Sequence, residues 1–222
     1  MSETAKVVAR TLTAVTREME ERQDVLDRLD AVAADGDHGA TMVLGWRAVA
    51  AEVAEPGDRT AAQLLRDAGA AFADVGGSIG PLWGTALLRA GRALDDLGGD
   101  ALRDPRGLAR VVSAGVDGMA QRGGAREGDK TLMDVMLPAA RALDQAAAAG
   151  ATVEDALGAA LAAAAAGLEH TAQLSARRGR ARRLADRTLG HQDAGAASAF
   201  LIWRRAVVVV FPHVEVADVV AG

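Results

Sequence analysis

Asp35-Gly36-Asp37-His38-Gly39, with Asp30 a little over one helical turn upstream, concentrates three carboxylates and an imidazole beside glycines that free the backbone to bend. Carboxylates are hard, anionic oxygen donors that suit Mg²⁺ or Ca²⁺, whereas zinc prefers His and Cys. Gly36 lets the chain turn tightly enough for Asp30, Asp35 and Asp37 to converge on one or two ions. The plainer alternative is an Asp-Gly turn leading into a helix near Gly39, capped by Asp37 or His38. Three aspartates and a histidine in one stretch favour the ligand site. His38 would either touch a bound phosphate or anchor the loop, and the Thr41 hydroxyl one turn into the helix could reach the same ligand.

Three further motifs carry possible chemistry. Val75-Gly76-Gly77-Ser78-Ile79-Gly80-Pro81 exposes successive backbone N–H groups just before a helix, an arrangement that binds phosphate. It is neither a Walker loop nor a dinucleotide fingerprint, and read plainly it is a helix stop followed by proline at a helix start. Arg122 to Asp134 places Gly123 and Gly124 near Leu132 and Met133, which could border a flat ring or could simply lie in the core. Arg177, Arg178, Arg180, Arg182, Arg183 and Arg187 form a basic run ahead of Gly190-His191-Gln192-Asp193-Ala194-Gly195. Arginine clamps phosphate in a bidentate manner, although a charge run is often just a solvated face. No catalytic base or covalent nucleophile is evident.

The elements that must position these motifs read as helices. Alanine, leucine, arginine and glutamate dominate, aromatic residues are only 3%, and β-branched runs are scarce before the C-terminus, which favours helix over sheet. The periodicity predicts eight helices, at about 3–26, 39–54, 60–75, 80–97, 105–122, 131–149, 152–175 and 194–210. Thr60 with Gln63, Asp104 before Pro105, Thr131 with Asp134 and Thr152 with Asp155 are start signals. Short connections imply antiparallel neighbours in an all-α, single-domain bundle over residues 1–222. In such a bundle the connections near 27–38, 76–80, 123–130 and 176–193 share one end, and they hold all four motifs. The valine-rich stretch after Val207 reads partly as strand, but it follows a helical pattern and meets Pro212.

Composition narrows the function classes. A formal net charge of −5 argues against general attraction to nucleic acid or an anionic membrane, so any phosphate must meet a local site. The absence of cysteine excludes disulfides and thiolate chemistry. No signal peptide or membrane-spanning run is visible, and a cytoplasmic location is expected. Three acidic ligands, a glycine anion nest, a base pocket and arginine at one bundle end describe a Mg–nucleotide site.

The ordered set of Asp30, Asp35-Gly36-Asp37-His38-Gly39, Gly76 to Thr85, Gly128-Asp129-Lys130-Thr131, Gly179-Arg180-Ala181 and Gly190 to Gly195 resembles the nucleotide-binding L subunit of dihydroxyacetone kinases. The resemblance spans almost the whole chain. It implies a barrel of eight antiparallel helices that holds ADP or ATP through two Mg²⁺ ions, with Asp30, Asp35 and Asp37 as metal ligands. His38, Gly39, Ala40, Thr41, Ser78 and Ile79 would lie against phosphates and ribose. Gly123, Leu132, Arg180, Asp193, Ala194 and Gly195 would border the nucleotide. It further implies a separate K subunit that holds dihydroxyacetone covalently, and a phosphotransferase-system M subunit that recharges retained ADP. Partners would then be K, M and the small ketose reached through K, with homodimer formation left open.

The histidine in Asp37-His38-Gly39 is similar to this branch; the related fatty-acid kinase motif resembles Asp-Gly-Asp-Thr-Gly. Departures are Ile79 in place of a serine, Arg182 to Ala185 in place of a segment resembling Ser-Tyr-Leu-Gly, and Ala194 in place of proline. Competing readings are an ATP-exchanging kinase component for a ketose such as erythrulose, and a non-catalytic ADP-sensing regulator.

Overall fold

The start signals and apolar stripes of the sequence become eight α-helices in the computed structural model, which describes residues 1–221. They are α1 (Glu3–Ala31), α2 (His38–Val53), α3 (Ala61–Ala73), α4 (Ile79–Leu97), α5 (Pro105–Gly123), α6 (Met133–Ala148), α7 (Val153–Thr171) and α8 (Ala194–Val210). Thr60 and Gln63 form both bonds of a capping box on α3. Asp104 caps α5 ahead of Pro105, and Thr152 caps α7. Such caps satisfy otherwise orphaned amides and contribute about 1 kcal/mol each. No strand forms among the described residues.

Each helix packs on its neighbour in sequence, and α8 returns onto α1, so the expected bundle closes into a ring. One continuous core fills most of it, from Leu12, Val15 and Met19 on α1 to Phe200 and Val207 on α8. Trp46 meets Phe72 and Trp83 edge-on, with ring centroids 5.4 and 6.0 Å apart. Inside the ring an apolar cavity of about 450 Å³ is lined by Trp46, Trp83 and Trp203, whose indole N–H groups are buried without a hydrogen-bond partner.

Two boundaries differ from the sequence expectation in ways that matter for the site. α1 runs to Ala31 instead of ending near Leu26, so Asp30 sits on a helix and not in the loop. α7 stops at Thr171, which leaves a longer connection to α8, and Arg180–Thr188 of that connection coils into a 3₁₀ stretch. A second 3₁₀ stretch, Gly99–Arg103, precedes α5.

Val207–Val210, which read partly as strand, complete α8, and the described residues of the tail after them are neither helix nor strand. The tail leaves α8 at the far end of the barrel and returns outside it to the loop end. His213 meets Glu154 at 2.7 Å, Asp218 pairs with Arg22 and Arg204, and Gln192 bonds both Val219 O (2.7 Å) and Ala221 N (2.8 Å). Beneath the tail lies Glu18, only 1% exposed, which accepts from Arg204 Nη2 and Arg205 Nε at 2.7 Å each. Breaking a buried pair strands its partners, at about 3 kcal/mol. Glu18→Ala should therefore lower the urea unfolding free energy by about that amount; a loss under about 0.5 kcal/mol would class the cluster with ordinary surface pairs.

Candidate functional site

The last turn of α1 and the start of α2 build the acidic loop between them. Asp30 Oδ2 accepts from the backbone N–H of Gly36 (2.9 Å) and of Asp37 (3.3 Å), folding the loop back over the helix end. Gly36 takes φ 73°, a conformation that disfavours any residue with a Cβ. Gly39 is packed so closely on α1 that a Cβ there would run into the Gln23 carbonyl. Asp27, one turn before Asp30, accepts from Ala40 N–H at 3.1 Å and so supplies the cap that neither Asp37 nor His38 provides.

Freed from capping, Asp35 and Asp37 point outward to Arg180. Arg180 Nη2 donates to Asp37 Oδ1 at 2.7 Å, and Nη1 donates to Asp35 and, at 3.3 Å, to Asp37 Oδ2. The guanidinium holds the Asp37 carboxyl below the usual carboxylate range, and both aspartates raise the Arg180 pKa in return. His38 turns the other way. It is buried, its Nε2 lies 2.9 Å from Ser198 Oγ on α8, and burial pushes its pKa down, so it fastens the loop as a neutral imidazole.

These groups open onto a cleft of about 1210 Å³. Asp35, Asp37, His38 and Thr41 form one wall, Gly76, Gly77, Ser78 and Ile79 a second, and Arg177 to Leu184 the third. α4 starts at Ile79 with no side-chain cap, which leaves first-turn amides available to an anion. The 123–130 connection sits behind the third wall, where Arg178 donates to Gly124 O at 2.9 Å and Arg177 N–H donates to Asp129 O at 3.1 Å. All four expected connections thus gather at one end.

Not every residue of the sequence expectation reaches the cleft. Leu132 and Met133 pack into the core, at 7% and 2% exposure, and are not among the residues that line the cleft. Gly123 ends α5 against Leu82, and Gly39 lies against α1. Asp30 faces a chamber of about 30 Å³ behind the cleft floor, together with Lys130, Asp193 and Ala194. Gly195 abuts Leu132. Asp27 and Lys130 escaped notice, although Asp27 precedes Asp30 by one turn on the same helix and Lys130 stands in a quoted motif.

The donor set suits Mg²⁺ by its chemistry: Asp35 and Asp37 are exposed oxygen ligands already converged on one cation, a guanidinium. Among the described residues no three acidic or histidine side chains are drawn together as a metal cluster.

Known proteins are similar to this chain in sequence and in fold. The DAK2 domain model matches residues 32–207. The chain belongs to the DAK2 domain family. It is 36% identical over 188 residues to the PEP-dependent dihydroxyacetone kinase 1, ADP-binding subunit DhaL, of Listeria innocua, which covers 83% of this chain and 86% of that one. It is 38% identical over 212 residues to the L-erythrulose 1-kinase of Mycolicibacterium smegmatis, covering 91% of this chain but only 36% of that protein. The chain therefore spans about a third of the length of that larger kinase. The crystal structure of the dihydroxyacetone kinase from C. freundii in complex with AMP-PNP and Mg²⁺ superposes with a TM-score of 0.67 at 28% identity, covering 90% of this chain and 33% of that one.

Asp193 behind the cleft gives a pH test. Its Oδ1 caps α8 by accepting from Ala196 N–H at 2.8 Å, and burial pushes its pKa up from the ordinary 3.8 to about 7. A folded-state pKa raised in this way contributes stability that is full below 3.8 and lost as pH rises toward about 7. Asp193→Asn keeps the cap and carries no charge. Relative to the wild type, its urea unfolding free energy should rise with pH across about 4 to 7 and then level, by up to about 4 kcal/mol. A difference independent of pH would mean that the carboxyl stays charged in the fold.

Proposed function

We propose that this chain is a nucleotide-binding subunit of a dihydroxyacetone kinase, working as one domain over residues 1–222. It would pass a phosphoryl group from Mg-bound nucleotide to dihydroxyacetone held by a separate K subunit. The observation that carries this reading is the meeting of Asp35, Asp37 and Arg180 across the cleft, opposite the uncapped start of α4. Carboxylates alone would repel a polyphosphate. Carboxylates with a mobile arginine and free amides can hold one together with its counter-ion.

Mg²⁺, when bound, would neutralise phosphate charge and hold the chain of phosphates in one geometry. Asp30 shapes the loop, and Asp35 and Asp37 would hold the cation with it. Arg180 would exchange their oxygens for those of the transferring phosphate. Thr41 and Ser78 offer hydroxyls at the same wall, and Ile79 offers only its amide. The acceptor would be activated on K, so the cleft itself would need to supply no base or nucleophile toward it.

The match to the PEP-dependent, ADP-binding subunit of Listeria innocua, over 86% of that chain, supports a subunit that works through ADP with phosphoenolpyruvate as donor; ADP would be retained and recharged by a phosphotransferase-system M subunit in the cytoplasm. A second reading, an ATP-exchanging component for erythrulose, is favoured by the similar identity to erythrulose kinases. The deciding experiment mixes this chain with a K subunit and either ketose, using ATP or the phosphoenolpyruvate system as donor. The first reading expects dihydroxyacetone phosphate from phosphoenolpyruvate without exchange of bound ADP; sustained turnover from ATP on erythrulose would establish the second. No transfer from either donor, despite tight ADP binding, would leave a sensing role and defeat both. Asp35→Ala should weaken Mg·ADP binding by about 10- to 100-fold, the loss of one charged contact, with helical circular dichroism intact.

A further inference from the structure

Lys130 is the one described residue other than glycine with a left-handed backbone, at φ 59°, a conformation that L side chains rarely adopt. The side chain it projects is buried, at 3% exposure. Its Nζ donates to four backbone carbonyls, those of Thr171 (2.6 Å), Leu174 (3.0 Å), Thr188 (2.7 Å) and His191 (2.6 Å). An ammonium has three N–H donors and no acceptor, so the cage uses them all and shares one. No neutral side chain of that length could satisfy it.

The positions of those carbonyls are what gives the cage meaning. Thr171 is the last residue of α7, and His191 lies just before Asp193, the N-cap of α8. Leu174 and Thr188 flank the arginine-rich stretch from within. The cage therefore ties together the two ends of the α7–α8 connection, the segment that carries Arg180 to Asp35 and Asp37. Between the tied ends, Arg180 itself is half exposed, and its ion pairs are its link to the acidic loop.

We propose that Lys130 is a positioning residue whose ammonium clasps the base of the α7–α8 connection and thereby sets where Arg180 stands over the cleft. The clasp is a property of the fold alone; its effect on phosphate rests on the nucleotide reading above. Burial pushes the Lys130 ammonium below its ordinary value, while the nearby Asp193 and Asp134 carboxylates oppose that shift.

Trypsin reads the clasp directly, because six arginines lie between residues 177 and 187. Without nucleotide, Lys130→Met should be cut in that stretch at least about tenfold faster than wild type, as expected for losing a charge-assisted contact, with helical circular dichroism retained. The chain has no cysteine, so Lys130→Cys can be alkylated uniquely in denaturant and refolded. A 2-aminoethyl group restores an ammonium at nearly lysine length; a propyl group restores only bulk. The aminoethyl form should regain protection and the propyl form should not, a comparison that also serves if Lys130→Met fails to fold. Equal protection of Lys130→Met and wild type, or of the two alkylated forms, would overturn the clasp.

For the functional half, Lys130→Met should weaken Mg·ADP binding about tenfold, and Arg180→Ala should then add little, since Arg180 is already displaced. Fully additive losses would overturn the positioning of Arg180. Rapid cutting of Lys130→Met in a chain whose wild type binds no Mg·ADP would uphold the clasp and defeat the nucleotide reading.

Discussion

Like charge crowded into one loop is the constraint around which this end of the molecule is built. Asp30, Asp35 and Asp37 lie close in sequence, and two carboxylates about 4 Å apart repel by about 4 kcal/mol at the effective dielectric of a protein surface. The fold answers each differently. Asp30, on the last turn of α1, is absorbed by backbone N–H groups of the loop that follows, while Asp35 and Asp37 remain outward and share Arg180 from the neighbouring α7–α8 connection. The loop is thus stable as folded and, on the proposed nucleotide reading, ready to exchange one cation for another.

That readiness depends on rigid neighbours. The closed ring of helices fixes the distance between the acidic loop, the start of α4 and the α7–α8 connection, because each belongs to a different pair of packed helices. Fasteners behind two of the walls hold them in place: the buried His38 on Ser198 and the half-buried Asp27 on Ala40 N–H for the acidic loop, and the buried Lys130 on four carbonyls for the arginine-rich connection. The tail adds an outer strap that ends on Gln192, beside the cap of α8. Asp35, Asp37 and Arg180 face the cleft exposed and charged, whereas His38 and Lys130 behind them are buried and hydrogen-bonded.

The all-helical bundle and the gathering of the odd-numbered connections were legible in the sequence, because cap residues and apolar periodicity act locally and alternate connections must share an end. The candidates Asp35 and Asp37 could be picked out by type and spacing, and Arg180, one of six arginines in its run, through the family resemblance. Their direct pairing could not, since it joins positions 145 residues apart. The same limit hid the role of Lys130, whose carbonyl partners carry no side-chain signature, and the strap along Glu18. Asp27 carries no motif signal of its own: only the extra turn of α1 beyond Leu26 brings Asp27 and Asp30 onto the helix end that the loop folds over. An apolar residue beside glycines, such as Leu132, reads the same in sequence whether it faces a ligand or the core.

The central claim is that Asp35, Asp37 and Arg180 form a switchable cation and phosphate site. Its most direct measurement is a crystal structure of the chain soaked with ADP and Mn²⁺, using the anomalous signal of manganese to place the metal. The account predicts manganese bound to Asp35 and Asp37 carboxylate oxygens, with Arg180 turned from them toward a phosphate oxygen. Manganese elsewhere, or nucleotide bound with the Arg180 pairs to Asp35 and Asp37 intact, would contradict it.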